Sequence, residues 1–278
     1  MTAVVLWACA TALAYGMSDF VGGLGSRHAS YWTVGFVAQG ASLLTSIVIA
    51  LGMSGSPLGV DLLWGGLAGI GNAVGTLLLY RGLGAGAVAV VAPVSALAAL
   101  VLPLLVAVGE HGTLPLLTLM GAATALIAIW LVTTGGGREP RGAERSTALA
   151  VGTLSGAGFA LMFVALSHIS PGAGGAPLVL NQAVAASVAF GGFVLTGAGW
   201  HRGAWCGIAS GALGAAATVA FTVASRYGNL GPASAIAALY PCVTVTLAVL
   251  VLGDPLSRRQ GAALVLSAAA LWLVATGG

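Results

Sequence analysis

The chain has 278 residues, 59% hydrophobic and only 5% charged, with nine arginines, no lysine and six acids. A water-soluble domain carries about 25% charged residues to solvate its surface, so this composition excludes one and makes hydrocarbon the solvent. The formal charge of +3 is then a property of the loops and gives no ground for nucleic-acid binding.

A membrane helix needs about 20 predominantly apolar residues. Cut at Gly/Pro clusters and charges, the sequence predicts ten spans in chain order: 3–24, 32–52, 60–80, 85–108, 114–134, 147–167, 175–197, 203–224, 231–252 and 258–276. These long runs lack the two-residue alternation of barrel strands, so the predicted fold class is an all-α integral membrane protein. The first segment, "MTAVVLWACATALA", has no basic n-region and is read as a mature span, not a signal peptide. Cys9, Cys206 and Cys242 fall inside spans without zinc spacing, as small apolar packing residues do. In spans three and eight, Gly65/Gly69, Gly71/Gly75 and Gly207/Gly211 are pairs spaced for close backbone approach. No cofactor or metal motif is found, and the four histidines, His28, His111, His168 and His201, are expected in loops, solvated.

The longest polar break, "GGGREPRGAERS" at 135–146, holds five of the fifteen charges and reads as a linker. It divides the chain into 1–134 and 147–278. Eight of the nine arginines lie in or beside the connections after spans one, three, five, seven and nine; only Arg226 does not. By the positive-inside rule those connections are cytoplasmic and both termini lie outside, in the inner membrane of a bacterium.

Sliding one half over the other gives an ordered match. "GMSDF…RHAS" overlies "GAGFA…SHIS", pairing Gly16 with Gly156 and His28 with His168. "VAQGAS" overlies "LNQAVA", pairing Gln39 with Gln182, and Glu110 falls on Asp254. Five spans per half is an odd number, so the second half is expected upside down relative to the first. Inverted repeats belong to transporters that open a midplane site to each side in turn.

Polar groups inside spans mark where such a site would lie. Asp19 is the one acid deep in a span, and intramembrane acids face a cavity or a partner. It either reaches interfacial water or pairs with Arg81, or it lines a cavity, binding a cation or cycling a proton. Tyr15 is one helical turn earlier on the same face. Gln39, Asn72, Asn181 and Gln182 must point inward to be hydrogen-bonded, and Tyr240 lies near mid-membrane. These seven are the candidate solute-binding residues. Arg81 with Asp254 at one end, and Arg226 with Glu110 at the other, are candidate gating pairs.

The stretch "LYPCVTVTLAVLVLGDPLSRRQGAALVLSAAALWLV" resembles the end of an EamA-type domain of the drug/metabolite transporter superfamily. Pro241, Gly253, Asp254, Pro255, Leu256, Ser257 and Gly261 occupy its pattern, with Asp in place of the usual Glu. "LYRGLGAGAVAVVAP" and "WACATALAYGMSDF" are similar to earlier parts of such a domain, so the resemblance runs over nearly the whole chain as two tandem domains. Asp19 stands where relatives commonly carry a neutral amide, and Gln39 where many carry an Arg. The resemblance implies a secondary transporter, with a small solute and H+ as candidate partners besides the bilayer, working as a monomer or weak homodimer. The expected function is export of a small polar metabolite such as an amino acid. Multidrug efflux on the same fold and a non-transporting membrane subunit are the alternatives. Hydrolysis inside the membrane would need a Ser/His or paired-Asp site within the spans, and only one acid is deep, so an enzyme is not expected.

Overall fold

A computed structural model describes residues 2–134, 142–227, 230–252 and 257–276. It contains α1 (Thr2–Ser26), α2 (Tyr31–Ala50), α3 (Gly59–Gly84), α4 (Val88–His111), α5 (Leu116–Thr134), α6 (Ala143–Ser167), α7 (Ala176–Thr196), α8 (Cys206–Tyr227), α9 (Leu230–Ala237), α10 (Tyr240–Leu252) and α11 (Arg258–Thr276). No strand occurs among the described residues. Nine segments among them are long and apolar enough to cross a membrane; a tenth, Leu116–Leu131 within α5, is apolar but shorter.

Most helix ends fall within a few residues of the expectation, and two differences alter the architecture. The ninth span is broken: α9 stops at Ala237 and α10 starts at Tyr240, with Ala238 and Leu239 in a turn between them. Pro241 explains the break, since it has no N–H to donate and its ring clashes with the carbonyl four residues back. The linker is shorter than 135–146 because Gly142, at φ +55°, opens a helix whose first turn is Ala-Glu-Arg. Residues 135–141 lie outside the described residues.

Helix α1 packs mainly on α8 and α10, α6 on α3 and α4, α2 on α8 and α7, α7 on α3 and α2, and α5 on α11. Exchange α1 with α6, α2 with α7, α3 with α8, α4 with α9–α10 and α5 with α11, and this set of pairings is unchanged. Glycine makes the close pairings possible. A Cβ on Gly211 would lie 2.0 Å from the Ala38 carbonyl oxygen of α2, and one on Gly71 2.5 Å from the Gly158 carbonyl oxygen of α6. Gly65 and Gly69 meet α7, and Gly75 and Gly207 complete the two pairs. In lipid, where helices gain nothing by hiding apolar surface, such close backbone packing is a main source of association.

The connections gather at two ends. At one, residues 27–30 meet 199–203: Thr33 donates to the Gly199 carbonyl at 3.0 Å and Gly203 packs against Gly25 and His28. At the other, residues 51–58 meet 168–175: the Ser56 N–H donates to the Gly172 carbonyl at 3.0 Å, and Gly55 packs against Gly174. We call the first the linker side and the second the far side.

Candidate functional site

Between the ends, α1, α2, α3, α6, α7 and α8 converge on a layer of polar side chains. Its spine is a chain of hydrogen bonds. Gln39 Nε2 donates to Asn72 Oδ1 (3.3 Å), Asn72 Nδ2 donates to Gln182 Oε1 (3.0 Å), and Gln182 Nε2 donates to Thr218 Oγ1 (3.5 Å). Thr218 meets the Tyr15 hydroxyl at 3.0 Å. The spine thus runs from one half into the other: α2 and α3 belong to the first, α7 and α8 to the second, and α1 closes it. Each amide is buried, and a buried amide without partners would cost several kcal/mol in hydrocarbon, so the bonds explain why these residues can exist at this depth.

The spine borders a small cavity lined by Tyr15, Asp19, Gln39, Asn72, Tyr80 and Thr218, among others, with a volume of about 20 Å³. That is room for about one water, so the layer is packed shut. Asp19 is 8% exposed, and its carboxylate takes part in no hydrogen bond or ion pair among the described residues. Arg81 is no partner: its exposed side chain lines a separate cavity of about 500 Å³ on the linker side with Glu144, Thr147 and Val151. Seven residues separate Asp19 from the end of α1 at Ser26, about 10 Å of helix rise.

Five of the seven expected binding residues therefore line one cavity: Tyr15, Asp19, Gln39, Asn72 and Gln182. Asn181 stands behind them, accepting from Asn72 at 3.4 Å, with its own amide nitrogen buried and unpartnered among the described residues. Tyr240 lies outside the lining set; its ring packs edge-on against Phe159, a lining residue, and its hydroxyl sits near Ser95 without a well-formed hydrogen bond. Tyr80 and Thr218 are additions to the sequence candidates. Tyr80 is fully buried and its hydroxyl bonds Ser210, whose carbonyl also accepts from Ser18 at 2.8 Å. A signal is present for both: Asn72, Thr76 and Tyr80, and likewise Ser210, Gly214, Thr218 and Thr222, recur every fourth residue on one helix face.

The expected pairing of Arg226 with Glu110 gives way to a different arrangement on the far side. Arg226 Nη2 donates to the Ser170 carbonyl (3.2 Å), and Asp61, absent from the sequence candidates, accepts from the Ser170 and Leu58 N–H groups at 2.8 Å each. Glu110 bridges instead to His168, at 3.0 Å. Both contacts are set by the connection after α6, which lies across the mouth of α3 and brings a carbonyl to Arg226 and an imidazole to Glu110. His168 is accordingly not a solvated loop residue: it caps α6 and its ring lies 4.5 Å from that of Trp64. His111 is likewise not in a loop but is the last residue of α4. Asp254, the expected partner of Arg81, lies outside the described residues.

Buried amides around an unpaired acid, inside a bundle of apolar helices, define a multi-pass membrane protein with a polar centre. The model of the EamA-like transporter family matches residues 146–276, which places this second half of the chain in the EamA family of the drug/metabolite transporter superfamily; members of that family are transporters, not enzymes. A solved structure described as "Crystal structure of protein" has the same fold over almost the whole chain, with a TM-score of 0.75 at 15% identity, covering 96% of this chain and 98% of that one. No curated protein matches the sequence.

Proposed function

We propose that the protein is a secondary transporter that carries a small polar solute, with hydrogen-bonding groups like those of an amino acid, across the inner membrane of a bacterium. Residues 1–134 and 147–278 act as two inverted five-span repeats that expose the central layer to each side in turn. Support comes from the antiparallel run of contacts between α1 and the segment ending in α8, where Tyr15 meets Thr218, Ser18 meets Ser210 and Gly25 meets Gly203. It comes also from the interchange of helix pairings described above. Export is the assigned direction, on the family resemblance alone, with both termini outside the cell.

One observation carries the reading: a carboxylate with no internal partner among the described residues, Asp19, sits in the wall of a closed cavity where its neighbours are paired with one another. A charge buried in lipid is expensive and is retained where it serves a pathway. Asp19 is the group we assign to meet the solute or to carry the coupling proton. The test is a solute screen in proteoliposomes, with and without a pH gradient, for wild type and Asp19→Asn. Solute movement whose pH dependence survives in Asp19→Asn makes Asp19 structural and removes the coupling assignment.

A further inference from the structure

We propose that Glu110 and His168 form a proton-binding site, and that the proton held there keeps the far side closed. The chemistry follows from what each imidazole nitrogen faces. His168 Nδ1 lies 2.8 Å from the Val164 carbonyl oxygen, which can only accept. Its Nε2 lies 3.0 Å from Glu110 Oε1. A neutral imidazole has one N–H and one lone pair, so it can satisfy one of these two acceptors and must present a lone pair to the other. Both distances are met together only when the pair carries one more proton than neutral imidazole plus carboxylate: an imidazolium on a carboxylate, or its tautomer with the proton on Glu110.

The proton's place in the fold gives it an effect. Glu110 lies in the last turn of α4 in the first half and His168 follows α6 in the second, so the bridge joins the halves at the far side. Trp64 of α3 packs on the imidazole and fixes its plane. Ser170, two residues on, is held by Asp61 of α3 and Arg226 of α8, and these are the charged groups that α3 and α8 bring to this connection. Ser167 Oγ is 3.4 Å from His168 Nδ1 and adds no charge. Losing the proton sets a lone pair against either the carboxylate or the Val164 carbonyl and removes the charge on the imidazole, which weakens the seal between 168–175 and α4. Histidine is the side chain whose charge changes near neutral pH, so the seal responds to the pH at this surface. The bridge is about one third exposed at each partner, 31% for His168 and 36% for Glu110. It therefore adjusts the closed state and does not lock it.

The proposal rests on the transporter reading only in taking the far side as one mouth of the central site, and its test needs no solute. In full-length protein in lipid nanodiscs, hydrogen exchange of residues 168–175 is followed at pH 6 and pH 8.5, after correction for intrinsic exchange. Wild type is expected to exchange about fivefold faster at the higher pH, the factor a partly exposed ion pair supports. Glu110→Gln, whose amide N–H can donate to Nε2 of a neutral His168 while Nδ1–H still meets Val164, is expected to lose most of the pH dependence, and the double variant Glu110→Gln/His168→Gln, which replaces the proton-dependent bridge with an amide pair, to show none. Should Glu110→Gln or the double variant keep the wild-type pH profile, no proton at this bridge governs closure and the proposal is overturned. A protein that moves no tested solute yet shows the expected profile leaves this site standing and counts against the transport reading alone.

Discussion

Two aspartates of the first half are almost equally hidden, Asp19 at 8% exposed and Asp61 at 0%, and they live in opposite circumstances. Both oxygens of Asp61 accept backbone N–H groups, from Leu58 in its own helix start and from Ser170 in the other half, with Arg226 close by through the same residue. Asp19 accepts no hydrogen bond among the described residues. A buried carboxylate stabilises a fold only when its acceptor sites are filled. Asp61 is thus a joint between the halves, whereas Asp19 has no such partner among the described residues, and the transport reading proposed above assigns it a step other than folding. Burial does not separate the two; the partners do.

The largest effect expected from that difference is at Asp61. Asp61→Ala removes two charge-assisted bonds, leaves two N–H groups short of an acceptor and takes a nearby negative charge from Arg226. Thermal unfolding in detergent is expected to show a fall in melting temperature of roughly 5–10 °C, with lower folded yield. Asp61→Asn falls between, because one acceptor oxygen remains. An Asp61→Ala protein as stable as wild type would show that the joint is idle.

At Asp19 the signs reverse. Asp19→Asn removes a charge that had no partner, so the melting temperature is expected to hold or rise. Solute movement driven by a pH gradient is expected to fall on the order of a hundredfold, taking about 2–5 kcal/mol for a lost buried charge contact. A parallel drop in stability and transport would make the two aspartates alike and erase the contrast.

The contrast also shows what is legible in the sequence. Asp19 stands out because it interrupts a run that is otherwise free of charge from Ala3 to Ser26. The amides Gln39, Asn72 and Gln182 are legible for the same reason, since a polar group in hydrocarbon must face a partner. The membrane-spanning helices and the glycine faces follow from composition and spacing. Asp61 escapes because it sits three residues after Leu58 at the opening of α3, where an acid reads as an ordinary helix start. Its second partner, Ser170, is 109 residues away, a pairing that no local pattern announces. The Glu110–His168 bridge is hidden likewise: charge matches Glu110 to Arg226, yet the connection after α6 delivers a histidine to it. The break before Tyr240 is readable from Pro241, but hydropathy runs through it without a dip.

A smaller effect is expected in the satisfied part of the centre. Asn72 accepts from Gln39 and Thr76 and donates to Asn181 and Gln182, so Asn72→Ala unseats four groups at once. Inter-helix hydrogen bonds in membranes average well under 1 kcal/mol each, because the unfolded chain in lipid also finds partners. The expected loss is therefore about 1–2 kcal/mol in unfolding, far below four independent bonds. A fall in melting temperature as large as that of Asp61→Ala would show that the amide spine, and not the far-side joint, holds the halves together.

The smallest effect on stability is expected at Arg81, and the residue sharpens the comparison because it is a charge with neither burial nor a bonded partner among the described residues. It lies in the last turn of α3, where a cation favours the helix dipole by about 0.3–1 kcal/mol at an exposed position. Its side chain looks into the cavity of about 500 Å³ that it shares with Glu144 on the linker side. Arg81→Ala is expected to change unfolding free energy by no more than about 1 kcal/mol. If that cavity is on the solute's route, transport falls about threefold while folded abundance stays level, the size of effect that an exposed charge contributes. Arg81→Lys then recovers most of the loss, because the position needs a cation and not the guanidinium's fork. Equal fractional losses of transport and abundance in Arg81→Ala would reduce Arg81 to an interfacial anchor that orients the chain, and the linker-side cavity to a surface hollow.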